Sequence, residues 1–194
     1  MPRIVPTSTP PDQVRPTKQQ IASCVNKTIP DIIAPELKIL FSGINPSLYS
    51  ACVGHHFARP GNRFWPTLHA AGFTPRRFSP FEDATLVDLG YGLTNIVPRA
   101  TAAADDLDAS EYAPAAELLI RKLKKYQPKY LAILGLGAYR LAFDRPKASL
   151  GPQPELIGRT RIWILPNPSG LNAHYQLPDL ARIYRLLRKA AEAA

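Results

Sequence analysis

Four short apolar runs, each followed at once by a polar or glycine-rich turn, restrict the folds open to this chain. The runs are Lys38-Ile39-Leu40-Phe41, Leu93-Thr94-Asn95-Ile96-Val97, Tyr130-Leu131-Ala132-Ile133-Leu134 and Ile162-Trp163-Ile164-Leu165. Such runs are typical of strands buried on both faces, as in parallel sheets. Helical spacing lies between and after them, in residues 115–126 and from about Asp179 onward. This order predicts an α/β fold, a three-layer α/β/α sandwich with a central, mainly parallel four-stranded sheet.

The turns after these runs contain residues suited to a binding site. They are Gly43-Ile44-Asn45-Pro46-Ser47, Pro98-Arg99, Gly135-Leu136-Gly137 and Pro166-Asn167-Pro168-Ser169-Gly170. Ligands of open α/β sheets bind in a crevice beyond the carboxyl ends of the strands. We therefore expect at least two of these turns to share one crevice.

The segment before the first run has a different composition. Residues 1–34 are rich in proline and polar residues and show no sustained period. Such a segment buries too little apolar surface to offset its chain entropy. We predict a flexible proline-rich N-terminal arm over residues 1–34 and one folded domain over residues 35–194.

Charge and cysteine content narrow the class of protein. The 24 basic and 15 acidic residues give a net charge of +9 and a pI near 9.8, which favours a polyanionic partner, although basic residues also serve as solvated surface. Cys24 and Cys52 are too few for a structural zinc or iron–sulfur site and are expected to be reduced thiols. No signal peptide or stretch of 18 apolar residues occurs. We predict a cytoplasmic protein without metal or cofactor.

Three segments contain candidate site residues. Asn45 follows a buried strand and precedes a proline, so its amide is either held rigidly toward a ligand or part of an ordinary Asn-Pro turn. The stretch 54–65 mixes glycines, aromatics, cations and amides, which suits stacking on a planar base and bonding to its edge. Its two histidines, His55 and His56, lack further ligands for a metal. Leu171 is either an exposed wedge or a loop residue folded back onto the core.

Taken together, the Gly43 to Ser47 turn, the 54–65 stretch and Asn167-Pro168-Ser169-Gly170-Leu171 resemble the mismatch-specific uracil-DNA glycosylase and thymine-DNA glycosylase family. The similarity runs from about residue 34 to the C-terminus. It implies the uracil-DNA glycosylase fold, a water-positioning role for Asn45 and stacking of Phe57 on the base. It also implies a DNA wedge at Leu171, within the DNA-binding residues Gly170, Leu171 and Asn172. Two residues depart from bacterial members, which typically have glycine at Ser47 and arginine at Ala173.

The resemblance also implies a base pocket and a substrate range. His55-His56 and Asn95 look like the thymine-DNA glycosylase version, which suggests uracil removal beyond the strict G:U context. The residues that we expect to bind the base are Ile44, His56, Phe57, Asn62, Asn95 and Ser169.

Breaking a glycosidic bond requires an anion-stabilising pocket and a placed water. Backbone N–H groups near Ile44 and Phe57 are candidates for the pocket. Asn45 is a poor base, so a carboxylate would help. Asp88, which precedes the Leu93 strand, is the candidate, and a capping aspartate is the alternative. No lysine nucleophile is evident, which predicts a monofunctional enzyme without Schiff-base chemistry.

The resulting prediction is a monomeric, mismatch-specific glycosylase that acts on double-stranded DNA containing G:U or related lesions and associates with the nucleoid. It would flip uracil, or a related damaged pyrimidine, out of the duplex, hydrolyse its N-glycosidic bond and leave an abasic site for base excision repair. The alternative is a non-catalytic basic DNA-binding module, favoured by the net charge of +9.

Overall fold

A five-stranded sheet forms the centre of the protein, seen in a computed structural model that describes residues 15–193. The strands, in chain order, are β1 (Ile39–Gly43), β2 (Tyr91–Asn95), β3 (Tyr130–Leu134), β4 (Gly151–Ile157) and β5 (Thr160–Leu165). Their spatial order is β2-β1-β3-β5-β4. All neighbouring pairs are parallel except β4 with β5, which is antiparallel. The four apolar runs therefore correspond to the four parallel strands, as predicted.

The predicted number of four strands is wrong, because β4 adds a fifth at the edge of the sheet. Its residues alternate between half-buried and exposed, so it lacks the continuous apolar run of the other strands. It also contains Pro152 and Pro154. Proline cannot donate a ladder hydrogen bond and is confined to edge strands and bulges, which explains both the position of β4 and its weak sequence signal.

Helices cover both faces of the sheet, which confirms the predicted three layers. One face packs against α3 (Phe64–Ala71) and α6 (Leu177–Glu192), and its core includes Ile39 and Phe41 of β1. The other face packs against α4 (Tyr112–Tyr126) and α5 (Leu136–Ala142), and its core includes Leu40 of β1. Successive strand residues point to opposite faces, so one continuous apolar run supplies both cores.

The remaining helices are short and connect these layers. They are α1 (Lys18–Ala22), α2 (Leu48–Val53) and three 3-10 helices, over Pro80–Leu89, Ala104–Asp106 and Ala109–Glu111. The predicted helix over residues 115–126 lies within α4, and the last helix begins two residues before Asp179. Between residues 15 and 193, no helix combines the length and the apolar character needed to cross a membrane.

Residues 15–34 are packed against the domain, so the predicted flexible arm is wrong over this part. Thr17 caps α1, and the buried Cys24 and Ile29 share a small core with Ala51 of α2. Ile32 forms an antiparallel bridge with Leu93 of β2. These apolar residues do not recur at the spacing of a helix or a strand, so the sequence gives no sign that the segment is ordered. Each of them nevertheless packs against the rest of the domain. Residues 1–14 of the predicted arm lie outside the described residues.

Candidate active site

A cavity of about 240 Å³ lies beyond the carboxyl ends of the parallel strands. The turn after β1, the 54–62 stretch, the turn after β5 and the segment Thr101 to Asp105 all line it. The expectation that at least two strand-end turns share one crevice is therefore confirmed. Eight predicted site residues line the cavity: Ile44, Asn45, His56, Phe57, Asn62, Asn95, Ser169 and Leu171.

The side-chain amide of Asn45 is fixed in one orientation. Its Nδ2 donates to the Arg99 carbonyl oxygen at 3.1 Å and to the Thr101 hydroxyl oxygen at 2.7 Å. Because a carbonyl can only accept, the nitrogen must face Arg99. The amide oxygen accepts no hydrogen bond from the described residues and is therefore left for a ligand or water in the cavity that Asn45 lines.

Phe57 presents an aromatic face beside this amide. Its ring stacks on Phe64 with 4.0 Å between centroids and 24° between planes. Phe57 also lines the cavity, so a planar ligand can stack on it. Its φ of 53° is in the left-handed region, which is unfavourable for an aromatic residue and persists only where the surroundings fix it. The neighbouring Ala58 N–H donates to Ser50 Oγ at 3.0 Å and helps to fix this conformation.

The glycine at the end of β1 makes room for Asn95 and Phe57. A Cβ at Gly43 would lie 2.5 Å from Asn95 Oδ1 and 3.3 Å from the Phe57 ring. A side chain there would force the Asn95 amide to move and would press against the Phe57 ring. Ser47, two residues after Asn45, has a φ of −69° and accepts from the Ser50 N–H as the cap of α2. Serine therefore fits this position without backbone strain.

The two histidines have different partners. His56 is buried, and its Nε2 donates to the Pro30 carbonyl oxygen at 3.0 Å. Burial lowers the pKa of His56 and favours the neutral ring. His55 Nδ1 contacts Asp83 Oδ1 at 3.0 Å, and the His56 N–H donates to Asp83 Oδ2 at the same distance. The buried Asp83 carboxylate therefore fixes the backbone that presents Phe57.

Asp88 does not reach the cavity, so its prediction as a catalytic residue is wrong. It is exposed at the end of the 3-10 helix, just before β2 begins. The five residues of β2 span about 16 Å at roughly 3.3 Å per residue, and the cavity is at their far end. A residue that precedes a parallel strand lies at the amino ends of the strands, whereas the turns that form the cavity follow their carboxyl ends. The carboxylate among the cavity-lining residues is Asp105.

Asp105 belongs to a short 3-10 turn, Ala104–Asp106, whose first two residues line the cavity. Its side chain is exposed and forms no hydrogen bond or ion pair with another described residue. The adjacent Asp106 has a structural role, because its Oδ2 accepts from the Ala103 N–H at 2.9 Å. The turn is connected to β1 through Thr101, whose N–H donates to the Pro46 carbonyl oxygen at 3.3 Å.

Leu171 projects from the loop after β5. It is 74% exposed, the highest value among the large apolar residues described as exposed, and the alternative that it folds back onto the core is therefore excluded. Of the three residues predicted to bind DNA, Leu171 alone lines the cavity. The Asn172 side chain braces the loop by donating to the Asn167 carbonyl oxygen at 2.9 Å. A Cβ at Gly170 would lie 2.5 Å from the Gly61 carbonyl oxygen, so this position requires glycine.

The Leu171 loop is held by Arg63, a residue that the sequence did not single out. Its guanidinium donates to the Tyr175 carbonyl oxygen at 2.6 Å, to that of Asn172 at 2.7 Å and also to that of Ser169. Thr101 and Asp105 were also missed. They follow the Pro98-Arg99 turn after β2, and that strand end was the available signal.

Comparison with known proteins agrees with this architecture. A solution NMR structure of a candidate uracil DNA glycosylase from Methanosarcina acetivorans is similar to it, with a TM-score of 0.53 and 19% sequence identity. The match covers 84% of this chain and 99% of that one. No cluster of three or more potential metal ligands occurs within residues 15–193. The model of the Uracil DNA glycosylase superfamily matches residues 30–190, so this chain belongs to that superfamily.

Proposed function

We propose that this protein is a monofunctional, mismatch-specific DNA glycosylase. It binds duplex DNA as a monomer, flips uracil or a related damaged pyrimidine into the cavity, hydrolyses the N-glycosidic bond and leaves an abasic site for base excision repair. Membership in the Uracil DNA glycosylase superfamily supports glycosylase activity on DNA in general. The mismatch preference rests on the resemblance of the Asn45, Phe57 and Leu171 motifs to mismatch-specific enzymes.

The observation that carries the proposal is the geometry of Asn45 and Phe57 in one cavity. The Asn45 amide nitrogen has two acceptors, which leaves its oxygen for a water. The Phe57 ring, supported by Phe64, offers a stacking surface for the pyrimidine. A base stacked on Phe57 would bring its sugar toward the turn that contains Asn45. A rigid amide that orients the nucleophile lowers the barrier by positioning it in advance.

The reaction separates charge within this cavity. As the C1′–N1 bond breaks, its electron pair leaves with the pyrimidine, and positive charge develops on the sugar. The water oriented by Asn45 forms the new C1′–O bond, and its proton passes to the Asp105 carboxylate. The same carboxylate stabilises the cationic sugar, while Arg59, which also lines the cavity, favours the anionic base.

The lining residues also support hydrolysis over a covalent mechanism. A Schiff-base glycosylase needs an amine near C1′ of the sugar. None of the residues that line the cavity is a lysine. Water is therefore the nucleophile in the proposed reaction, and the product keeps an intact sugar-phosphate backbone.

Leu171 would act on the duplex as the base leaves it. An exposed apolar side chain at the rim of the cavity can fill the vacated position in the base stack. Flipping costs least for a mismatched pair, which favours G:U over A:U substrates. Phosphate contacts from a chain with a net charge of +9 would add affinity that does not depend on sequence.

A base-release assay tests the proposal. Purified protein is incubated with duplexes containing G:U, A:U or G:T pairs and with single-stranded uracil DNA, and the free base is measured. We expect uracil release that is fastest from G:U, with uncut backbones until alkali is added. Salt-sensitive DNA binding without release of any base would contradict the proposal and indicate a non-catalytic DNA-binding module.

A further inference from the structure

We propose that Arg63 is a positioning residue that connects the base-stacking loop, residues 54–63, to the wedge loop, residues 166–175. Through this connection, Leu171 is held ready to enter the duplex while Phe57 receives the base. The inference rests on the proposed glycosylase function and assigns Arg63 a specific part in the flipping step.

Arg63 contacts the wedge loop on both sides of Leu171. One terminal guanidinium nitrogen donates to the carbonyl oxygens of Ser169 and Asn172, and the other donates to that of Tyr175. The Arg63 backbone N–H also donates to the Pro168 carbonyl oxygen at 2.9 Å. A single residue therefore fixes four carbonyl groups of the loop. Arginine suits this role because its planar fork directs several N–H donors at once.

The same residue belongs to the other wall of the cavity. Arg63 directly follows Asn62, which lines the cavity and accepts from the Phe64 N–H at 2.9 Å. Arg63 is also the residue from which α3 begins, and Phe64 at the start of that helix supports the Phe57 ring. The Phe57 segment has further anchors, because the neighbouring His56 N–H donates to Asp83 and the Ala58 N–H donates to Ser50. Loss of the Arg63 side chain would therefore free the wedge loop more than the stacking surface.

A second contact joins the two loops. The Gly61 carbonyl oxygen lies so close to Gly170 that a Cβ there would approach it to 2.5 Å. This contact and the Arg63 hydrogen bonds join the two loops at five residues of the wedge loop: Pro168, Ser169, Gly170, Asn172 and Tyr175. Leu171 is 74% exposed and has little packing of its own. The orientation of the Leu171 side chain is therefore set by the backbone that Arg63 holds.

Loss of Arg63 should affect duplex substrates much more than single-stranded ones, because a wedge is needed only where a base leaves a stack. We expect R63Q to lower single-turnover uracil release from a G:U duplex by about 10- to 100-fold, whereas release from single-stranded DNA stays within about 2-fold. R63K retains the positive charge but lacks the planar guanidinium group. Its rate of uracil release from the G:U duplex should therefore lie between those of wild type and R63Q. R77Q removes one positive charge from an exposed residue without a described hydrogen bond and should match the wild type.

A spectroscopic measurement separates positioning from general destabilisation. A 2-aminopurine beside a non-cleavable 2′-fluoro-deoxyuridine becomes brighter when its neighbour leaves the stack. R63Q should give a smaller increase than wild-type protein and R77Q at saturating protein concentration. If R63Q does not fold, R63K and G170A provide the test, since both disturb the same loop junction.

The possible outcomes are distinct. A wild-type protein that releases no uracil would overturn the proposed function and this inference together. A wild-type protein that releases uracil, combined with an R63Q variant whose duplex to single-strand rate ratio and fluorescence increase are unchanged, would overturn the role of Arg63 alone. Equal losses on both substrates would also contradict it, because they indicate a general structural role.

Discussion

The side-chain nitrogen of Asn45 lies 2.7 Å from the hydroxyl oxygen of Thr101, and this hydroxyl donates to the Ala103 carbonyl oxygen at 2.6 Å. Because the Thr101 proton is used toward Ala103, its oxygen can only accept from Asn45. The hydroxyl therefore keeps the Asn45 amide oxygen directed away from Thr101. The Thr101 hydroxyl and the Arg99 carbonyl together determine which end of the amide is available in the cavity.

This relationship predicts the effect of removing the hydroxyl. T101V should lower single-turnover uracil release by about 10-fold, because the amide loses one of the two acceptors that fix it. T101S keeps the hydroxyl and should retain most of the activity. DNA affinity, measured by fluorescence anisotropy with a 2′-fluoro-deoxyuridine duplex, should be the same for both variants. Equal rates for T101V and T101S would show that Asn45 does not depend on this contact.

The two adjacent aspartates of the 104–106 turn allow a matched comparison. D105N should lower the rate of base release by about 10- to 100-fold, since the proposed proton acceptor and counter-charge are lost. Its affinity for DNA should stay equal or rise, because a negative charge is removed near the phosphates. D106N removes the same charge from a residue that caps the Ala103 N–H, so it should affect thermal stability more than the rate. A D105N variant as fast as wild type would exclude Asp105 from the chemistry.

Leu171 can be compared with another exposed leucine. L171A should reduce uracil release from duplex DNA while leaving the single-stranded reaction nearly unchanged, because the vacated stack is no longer filled. Leu141 on α5 is 53% exposed and does not line the cavity, so L141A is a suitable control. Parallel single-turnover assays on both substrates measure the effect. Full duplex activity in L171A would refute the wedge assignment.

His56 predicts a dependence of stability on pH. Burial lowers its pKa below the ordinary value of about 6.5, so the unfolded chain binds this proton more readily than the folded one. The free energy of unfolding is therefore highest above about pH 6.5 and falls as the pH drops toward the lowered pKa of the folded state. H56Q keeps a donor for the Pro30 carbonyl oxygen but does not titrate. When thermal unfolding is measured from about pH 5.5 to 8, the melting temperature of H56Q should fall less on acidification than that of wild type.

Much of the fold could be predicted from the sequence because its strongest signals are physical requirements of a buried parallel sheet. A strand covered on both faces must carry a run of apolar residues; β1, β2 and β3 are buried at every position, and β5 is buried over most of its length. The edge strand β4 alternates half-buried and exposed residues and contains two prolines, so it has no continuous apolar run that would predict a strand. Residues 15–34 were misjudged for a related reason, since isolated apolar residues such as Cys24 and Ile29 carry no period.

The sequence predicted the position of those cavity residues that come after the end of a parallel strand. Asn45 and Leu171 come directly after β1 and soon after β5, so topology alone brings them to one edge of the sheet. The prediction for Asp88 is wrong because this residue comes before β2 and so lies at the amino ends of the strands, away from the cavity. Arg63 could not be predicted, since its contacts depend on the path of loops, and loop paths are set by contacts between residues far apart in sequence. Asp105 could have been found from the Pro98-Arg99 turn that follows β2, because that turn also comes after a strand end.

The most direct measurement is a comparison of N45A with wild-type protein in chemistry and in binding. Single-turnover uracil release from a G:U duplex and the Kd for the matching 2′-fluoro-deoxyuridine duplex are determined under the same salt conditions. The predicted result is a rate loss of about 100-fold or more with a Kd within about 3-fold of wild type. An N45A variant that releases uracil at the wild-type rate, or that loses rate and affinity in equal proportion, would contradict the assignment of Asn45 as the residue that orients the water.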